Sequence, residues 1–147
     1  MASRYEGRSI TDDMAEGCAG IAGKATAVKA VRALCRYFGG SLIYMPIRAS
    51  NGQTAGEMRG VLADAVGGND AERILAKLMA LFGGYQLYMP LEKNVFKKEL
   101  ALEIFERLDG EKEKVRDLCR EYGISFNQVY RLWKIGQKYK LEGVNVL

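Results

Sequence analysis

Apolar residues recur at helical spacing along most of this chain, and two stretches repeat the same stripe. Between Ala25 and Phe38 the stripe is Ala27, Val31, Leu34 and Phe38; between Asn69 and Phe82 it is Ala71, Leu75, Leu78 and Phe82. Steps of four, three and four residues keep these side chains on one face of a helix, so each stretch predicts an amphipathic helix packed on a core. A shorter helix is predicted ahead of each. The first runs through Met14 to Ala22, capped from Ser9 or Thr11 and ended by Gly23; the second is opened by Thr54-Ala55-Gly56-Glu57, which has capping-box spacing, and is ended by Gly67-Gly68. Asn69, with Glu72 three positions on, starts the helix that follows. Residues 1 to about 9 read as a tail and Arg48–Gln53 as a loop.

Each striped helix runs into a glycine pair and then a short β-forming segment closed by proline, Phe38-Gly39-Gly40-Ser41-Leu42-Ile43-Tyr44-Met45-Pro46 and Phe82-Gly83-Gly84-Tyr85-Gln86-Leu87-Tyr88-Met89-Pro90. Glycine takes the positive φ that ends a helix and turns the chain, while proline cannot donate to a sheet ladder. Aligning residues 14–46 with 58–90 gives 11 identities in 33 positions. This is an internal duplication of a helix–helix–strand unit. Strand alternation puts Gln86 and Tyr88 on one face and Tyr85, Leu87 and Met89 on the other; Leu42 and Tyr44 occupy the matching face of the first copy. A lone short strand needs a partner, supplied by the other copy or by a second chain.

After Pro90 the pattern changes. Asn94 caps a predicted helix through about Leu108 with Phe96, Leu100, Ile104 and Leu108 on one side; Asp109-Gly110 breaks it, and a second helix runs from about Glu111 to Tyr122. Gly123 ends that helix, and a third starts from Ser125 as N-cap and continues to about Lys138. Within Val115–Lys134 the spacing fits a helix-turn-helix, with Cys119 small where the helices cross, Gly123 in the turn and Leu118, Ile124, Val129 and Leu132 as a small core. Tyr122 covers its edge, and Trp133, four residues from Val129, belongs to the core. The predicted fold is therefore mainly α: a helical assembly region with short antiparallel strands over residues 10–90, then a three-helix domain over 91–147.

Composition narrows the chemistry. Histidine is absent and no CxxC spacing occurs, which removes the commonest general base and makes a zinc site unlikely; no metal or cofactor is implied. The three cysteines, Cys18, Cys35 and Cys119, lie in helical patterns and read as reduced thiols. No run has transmembrane length and no signal pattern opens the chain, so the expected location is the cytoplasm. Carboxylates are scattered, and the glycine pairs follow helices instead of preceding them, opposite to a dinucleotide fingerprint, so an enzyme is not expected. The net charge is only +4, but no acid occurs between Glu121 and Glu142 while Arg131, Lys134, Lys138 and Lys140 do. In the last helix of a helix-turn-helix, Asn127, Gln128 and Arg131 are side chains that make paired hydrogen bonds to base edges in the major groove. Ser125, Phe126, Tyr130, Lys134 and Lys138 complete the candidate face, with Ser125, Tyr130 and the lysines suited to phosphates.

A glycine-turned strand followed by a C-terminal helix-turn-helix resembles the Mor/C family of Mu-like phage transcription activators over about Arg59–Lys138. The resemblance implies a homodimer that binds double-stranded promoter DNA through two helix-turn-helix units and helps RNA polymerase start phage genes. It also implies minor-groove contacts from the strand, at Gln86 and Tyr88, beside the turns already read at Gly83, Gly84 and Gly123. The extra N-terminal copy departs from the family pattern. Ser41–Met45 pairs with Tyr85–Met89 of the same chain, giving a pseudo-dimer body with one reader, or the tandem body dimerises again and keeps two readers; the dimer is the expected state, because linking two readers multiplies occupancy through effective concentration. A competing function is a modulator or anti-activator that assembles through its duplicated body and binds DNA poorly.

Overall fold

The structure is a computed structural model that describes residues 9–48, 52–109 and 115–143. The predicted tail, the middle of the 48–53 loop, the break at Gly110 and the start of the helix expected from Glu111 lie outside the described residues. The fold is mainly α with one two-stranded antiparallel sheet, and the chain divides into two compact units, Met1–Val95 and Phe96–Leu147.

The first unit contains α1 (Ile10–Ala22), α2 (Lys24–Phe38), β1 (Ser41–Tyr44), α3 (Gln53–Val66), α4 (Gly68–Phe82), β2 (Gln86–Met89) and α5 (Glu92–Val95). The predicted stripes turn inward: Ala27, Val31, Leu34 and Phe38 are buried, as are Ala71, Leu75 and Leu78, while Phe82 at the end of the second is half-buried. The helices pack crosswise, α1 against α2 and α4, α3 against α4 and α2. Of the two caps open to α1 the chain uses one, and two later starts differ from the sequence pattern, α4 beginning at Gly68 with Gly67 as cap instead of from Asn69. Ser9, not Thr11, caps α1, and its N–H bonds to the Asp12 carboxylate at 2.9 Å while Thr11 is buried in the first turn. The Thr54–Glu57 box does not form: α3 begins at Gln53 with Gly52 as cap, and the Glu57 carboxylate instead accepts from the Tyr37 hydroxyl at 2.7 Å.

The strands pair with each other, Ser41 opposite Met89, Leu42 opposite Tyr88, Ile43 opposite Leu87 and Tyr44 opposite Gln86. The glycine pairs divide their work. Gly40 and Gly84 take φ of 84° and 88°, the left-handed turn a side chain resists. Gly39 and Gly83 have ordinary φ, and what they require is room: a methyl group on either would meet the carbonyl oxygen four residues earlier, Cys35 at 2.3 Å and Met79 at 2.5 Å. Met45 and Met89 anchor the inner face with no exposed surface, each contributing about 1.5–3 kcal/mol by burial.

The second unit comprises α6 (Lys97–Asp109), α7 (Val115–Tyr122) and α8 (Phe126–Leu141). The helix expected to be capped by Asn94 is instead interrupted. Asn94 lies inside α5, the chain bends at Phe96, and α6 begins one residue later. Leu100, Ala101, Ile104, Leu118, Ile124, Val129 and Leu132 form the core of this unit, with Trp133, Tyr122 and Cys119 packed at its edge. A close approach that the motif does not include lies at Gly136 on α8, against the Ala101 carbonyl and Phe105 of α6.

Candidate nucleic-acid interface

The local sequence sets the start of α8 firmly. Gly123 turns the chain with φ of 65°, and Ser125 and Gln128 then cap each other reciprocally: the Gln128 N–H donates to Ser125 Oγ at 3.1 Å and the Ser125 N–H to Gln128 Oε1 at 3.1 Å. Two of the four orphan donors of the helix are thereby satisfied. Ser125 and Gln128 are thus joined to each other, which commits the Gln128 carbonyl oxygen to the cap and leaves the amide NH2 of this half-buried residue outside it.

Along α8, Val129, Leu132 and Gly136 turn inward, and the opposite side carries the polar candidates. Asn127, Arg131, Lys134 and Lys138 are all exposed and spaced four, three and four residues apart, so they form one straight outward stripe. Phe126 and Tyr130, each just over half exposed, flank it. Nothing acidic shares the described length of this helix; Lys140, beyond the stripe, bonds Glu106 of α6 at 3.2 Å. The arrangement offers an amide, a guanidinium and two ammonium groups along about three helical turns, the donors needed for base edges and phosphates.

The two helices packed with α8 are also tied to each other. Arg107 of α6 reaches Glu121 at 2.6 Å and the Tyr122 hydroxyl at 2.7 Å, tying α6 to the end of α7. Burial, reinforced by the neighbouring Glu103, holds the Tyr122 hydroxyl above its usual range, with Arg107 pulling weakly the other way. It remains a neutral donor and acceptor at any physiological pH. Sequence reading missed Gly136, for which a signal existed: a glycine in a helix interior costs about 1 kcal/mol against alanine and is kept where backbones must touch.

In the first unit the outer face of the ribbon is formed by Leu42, Tyr44, Gln86 and Tyr88, all exposed, with Leu42 opposite Tyr88 and Tyr44 opposite Gln86. Gln86 and Tyr88 therefore stand where alternation put them, each beside an aromatic or apolar neighbour from β1. Gly83 and Gly84 occupy the turn before β2. Cys18 and Cys35 are buried free thiols and Cys119 is a half-buried one. No group of three or more potential metal ligands occurs among the described residues, and no helix there is long and apolar enough to cross a membrane.

Comparison with curated proteins and with solved structures gives no significant match. The sequence model of the Mor transcription activator family does match, over residues 50–142, spanning the second helix–helix–strand segment, α5 and all three helices of the second unit. The match covers well over half of the chain and contains the whole outward stripe of α8; the chain belongs to the Mor transcription activator family, a family of transcription regulators and not of enzymes.

Proposed function

We propose that this protein is a sequence-specific DNA-binding transcription activator of phage or prophage type, acting in the cytoplasm, and that α7 and α8 are its helix-turn-helix reader. The observation that carries this reading is the exposed stripe Asn127, Arg131, Lys134 and Lys138 on a helix whose other side is locked into a core. Asn127 and Arg131 face base edges in the major groove, with Gln128 assisting through its free amide NH2; Ser125, Phe126, Tyr130, Lys134 and Lys138 line the backbone on either side. Gln86 and Tyr88 on the ribbon are proposed as minor-groove contacts, and RNA polymerase as the protein partner that activation requires. The alternative reading, a modulator or anti-activator that assembles through its duplicated body and binds DNA poorly, has less support, since the two copies pair with each other within the chain. Selection of duplexes from a random library, followed by titration at two salt concentrations, tests the reading. A recovered consensus bound far more tightly than random duplex is expected; equal affinity for all duplexes removes the sequence-specific role.

A further inference from the structure

The strand register carries more than pairing. Ile43 faces Leu87, its own counterpart 44 positions later, so the two helix–helix–strand segments are related by a pseudo-twofold axis through that pair. The bonds flanking the axis obey it: the Gly40 N–H donates to the Met89 carbonyl at 2.7 Å and the Gly84 N–H to the Met45 carbonyl at 2.9 Å. So do the crossings, since Gly39 lies against Leu91 and Gly83 against Ile47. One chain thus builds by itself the twofold arrangement that two identical segments from separate chains would make.

One cluster breaks the symmetry. Glu92, nearly fully buried, receives Arg32 Nε at 2.8 Å and Arg36 Nε at 2.9 Å from α2. The counterparts of these three residues are Arg48, Ala76 and Ala80. If second segments from two chains paired in this geometry, each Glu92 would face two alanines, a buried carboxylate deprived of its guanidinium partners. If first segments paired, Arg48 would face Arg32 and Arg36, three like charges together. Only the unlike pairing satisfies the carboxylate, and the short connection between the segments holds the right partner close.

We propose that the first segment is a built-in partner for the second, selected by Glu92 against Arg32 and Arg36, so that the protein works as a monomer with one reader and occupies a single DNA half-site. The count of readers rests on the function proposed above; the pairing does not. Sedimentation equilibrium of the full chain at micromolar concentrations is expected to give 16.3 kDa, the mass of one chain; twice that mass overturns the proposal. Leu42→Cys with Tyr88→Cys places two thiols directly opposite on the outer face, at a spacing a disulfide spans. Oxidation is expected to give an intrachain bridge that leaves the protein at single-chain mass under non-reducing conditions, and a covalent dimer would instead mean exchanged strands and overturn it. Titrating the unmodified protein into a selected duplex is expected to saturate at one chain per duplex, and two chains per duplex overturn the single reader. Should no duplex bind at all, the DNA reading falls, and mass and cross-link still decide the pairing.

Discussion

Gly136 on α8 lies so close to the Ala101 carbonyl on α6 that a methyl group added there would sit 2.2 Å from the oxygen and 2.7 Å from Phe105 Cβ. Neither obstacle is the free end of a flexible side chain, so the helices themselves must part. Gly136→Ala, which in an open helix would gain about 1 kcal/mol from propensity, is here expected to cost about 3 kcal/mol by overpacking. Urea unfolding followed by Trp133 fluorescence reads this directly, since Trp133 packs beside Phe105 at the same interface. An unchanged midpoint would mean that α6 and α8 do not approach so closely.

The Glu92 cluster makes a separable prediction in the first unit. Removing the carboxylate takes one counter-charge from Arg32, about 15% exposed, and from Arg36, about a third exposed. Loss of a fully buried pair costs about 3–5 kcal/mol; because the arginines keep part of their hydration, Glu92→Gln is expected to cost about 2 kcal/mol. In a double-mutant cycle with Arg32→Ala the two losses are expected to be less than additive by about 1 kcal/mol or more. Full additivity would place the two side chains in independent environments.

Stability is also expected to fall on the alkaline side. Burial pushes the Cys35 thiol up to about 12 from an ordinary value of 9.0, with the Glu92 carboxylate adding to the effect. A folded value above the unfolded one means that folding favours the protonated thiol, so the contribution is complete below about pH 9 and is lost as pH rises toward 12. Three pH units correspond to at most about 4 kcal/mol. Tyr122, whose hydroxyl is likewise raised by burial, acts in the same direction in the second unit, starting from its ordinary value of 10.0. Thermal midpoints are expected to be flat from about pH 6 to 8 and to fall above 9. Cys35→Ala is expected to flatten that fall for the first unit, and a profile unaltered by the substitution would assign the alkaline loss elsewhere.

Much of this was legible in the sequence because periodicity reports burial. The stripes around Leu34 and Leu78, the alternation that exposes Gln86 and Tyr88, and the Ser125 cap of α8 all follow from which side chains water must leave. The helix starts were less legible, since caps compete: Ser9 outranks Thr11 because Asp12 answers it, and Glu57 is diverted from its own cap by Tyr37, twenty residues away. Gly136 and Glu92 were passed over for the same reason. A helical glycine and a surface-type acid after a proline look ordinary until the partner segment is in place, and Arg32 and Arg36 lie 60 and 56 residues before Glu92. The pairing of β1 with β2 was likewise open, because alternation and turn residues alone do not tell a partner strand in the same chain from one in a second chain.

If α8 reads bases through Arg131 and steadies itself on the backbone through Lys134, substitutions at these two positions must fail in different ways. Both side chains are exposed on one stripe, so neither change disturbs the core formed by Val129 and Leu132. Arg131→Ala removes a guanidinium able to grip a guanine edge with two bonds and is expected to cost about 1–3 kcal/mol on the selected duplex while barely affecting random duplex. Lys134→Ala removes one phosphate contact; it is expected to weaken binding to both duplexes alike and to reduce the slope of log affinity against log salt by about one. Fluorescence anisotropy on a selected and a scrambled duplex across a salt series separates the two. Equal losses on both duplexes for Arg131→Ala would move that residue to the phosphate backbone and leave base reading to Asn127 and Gln128.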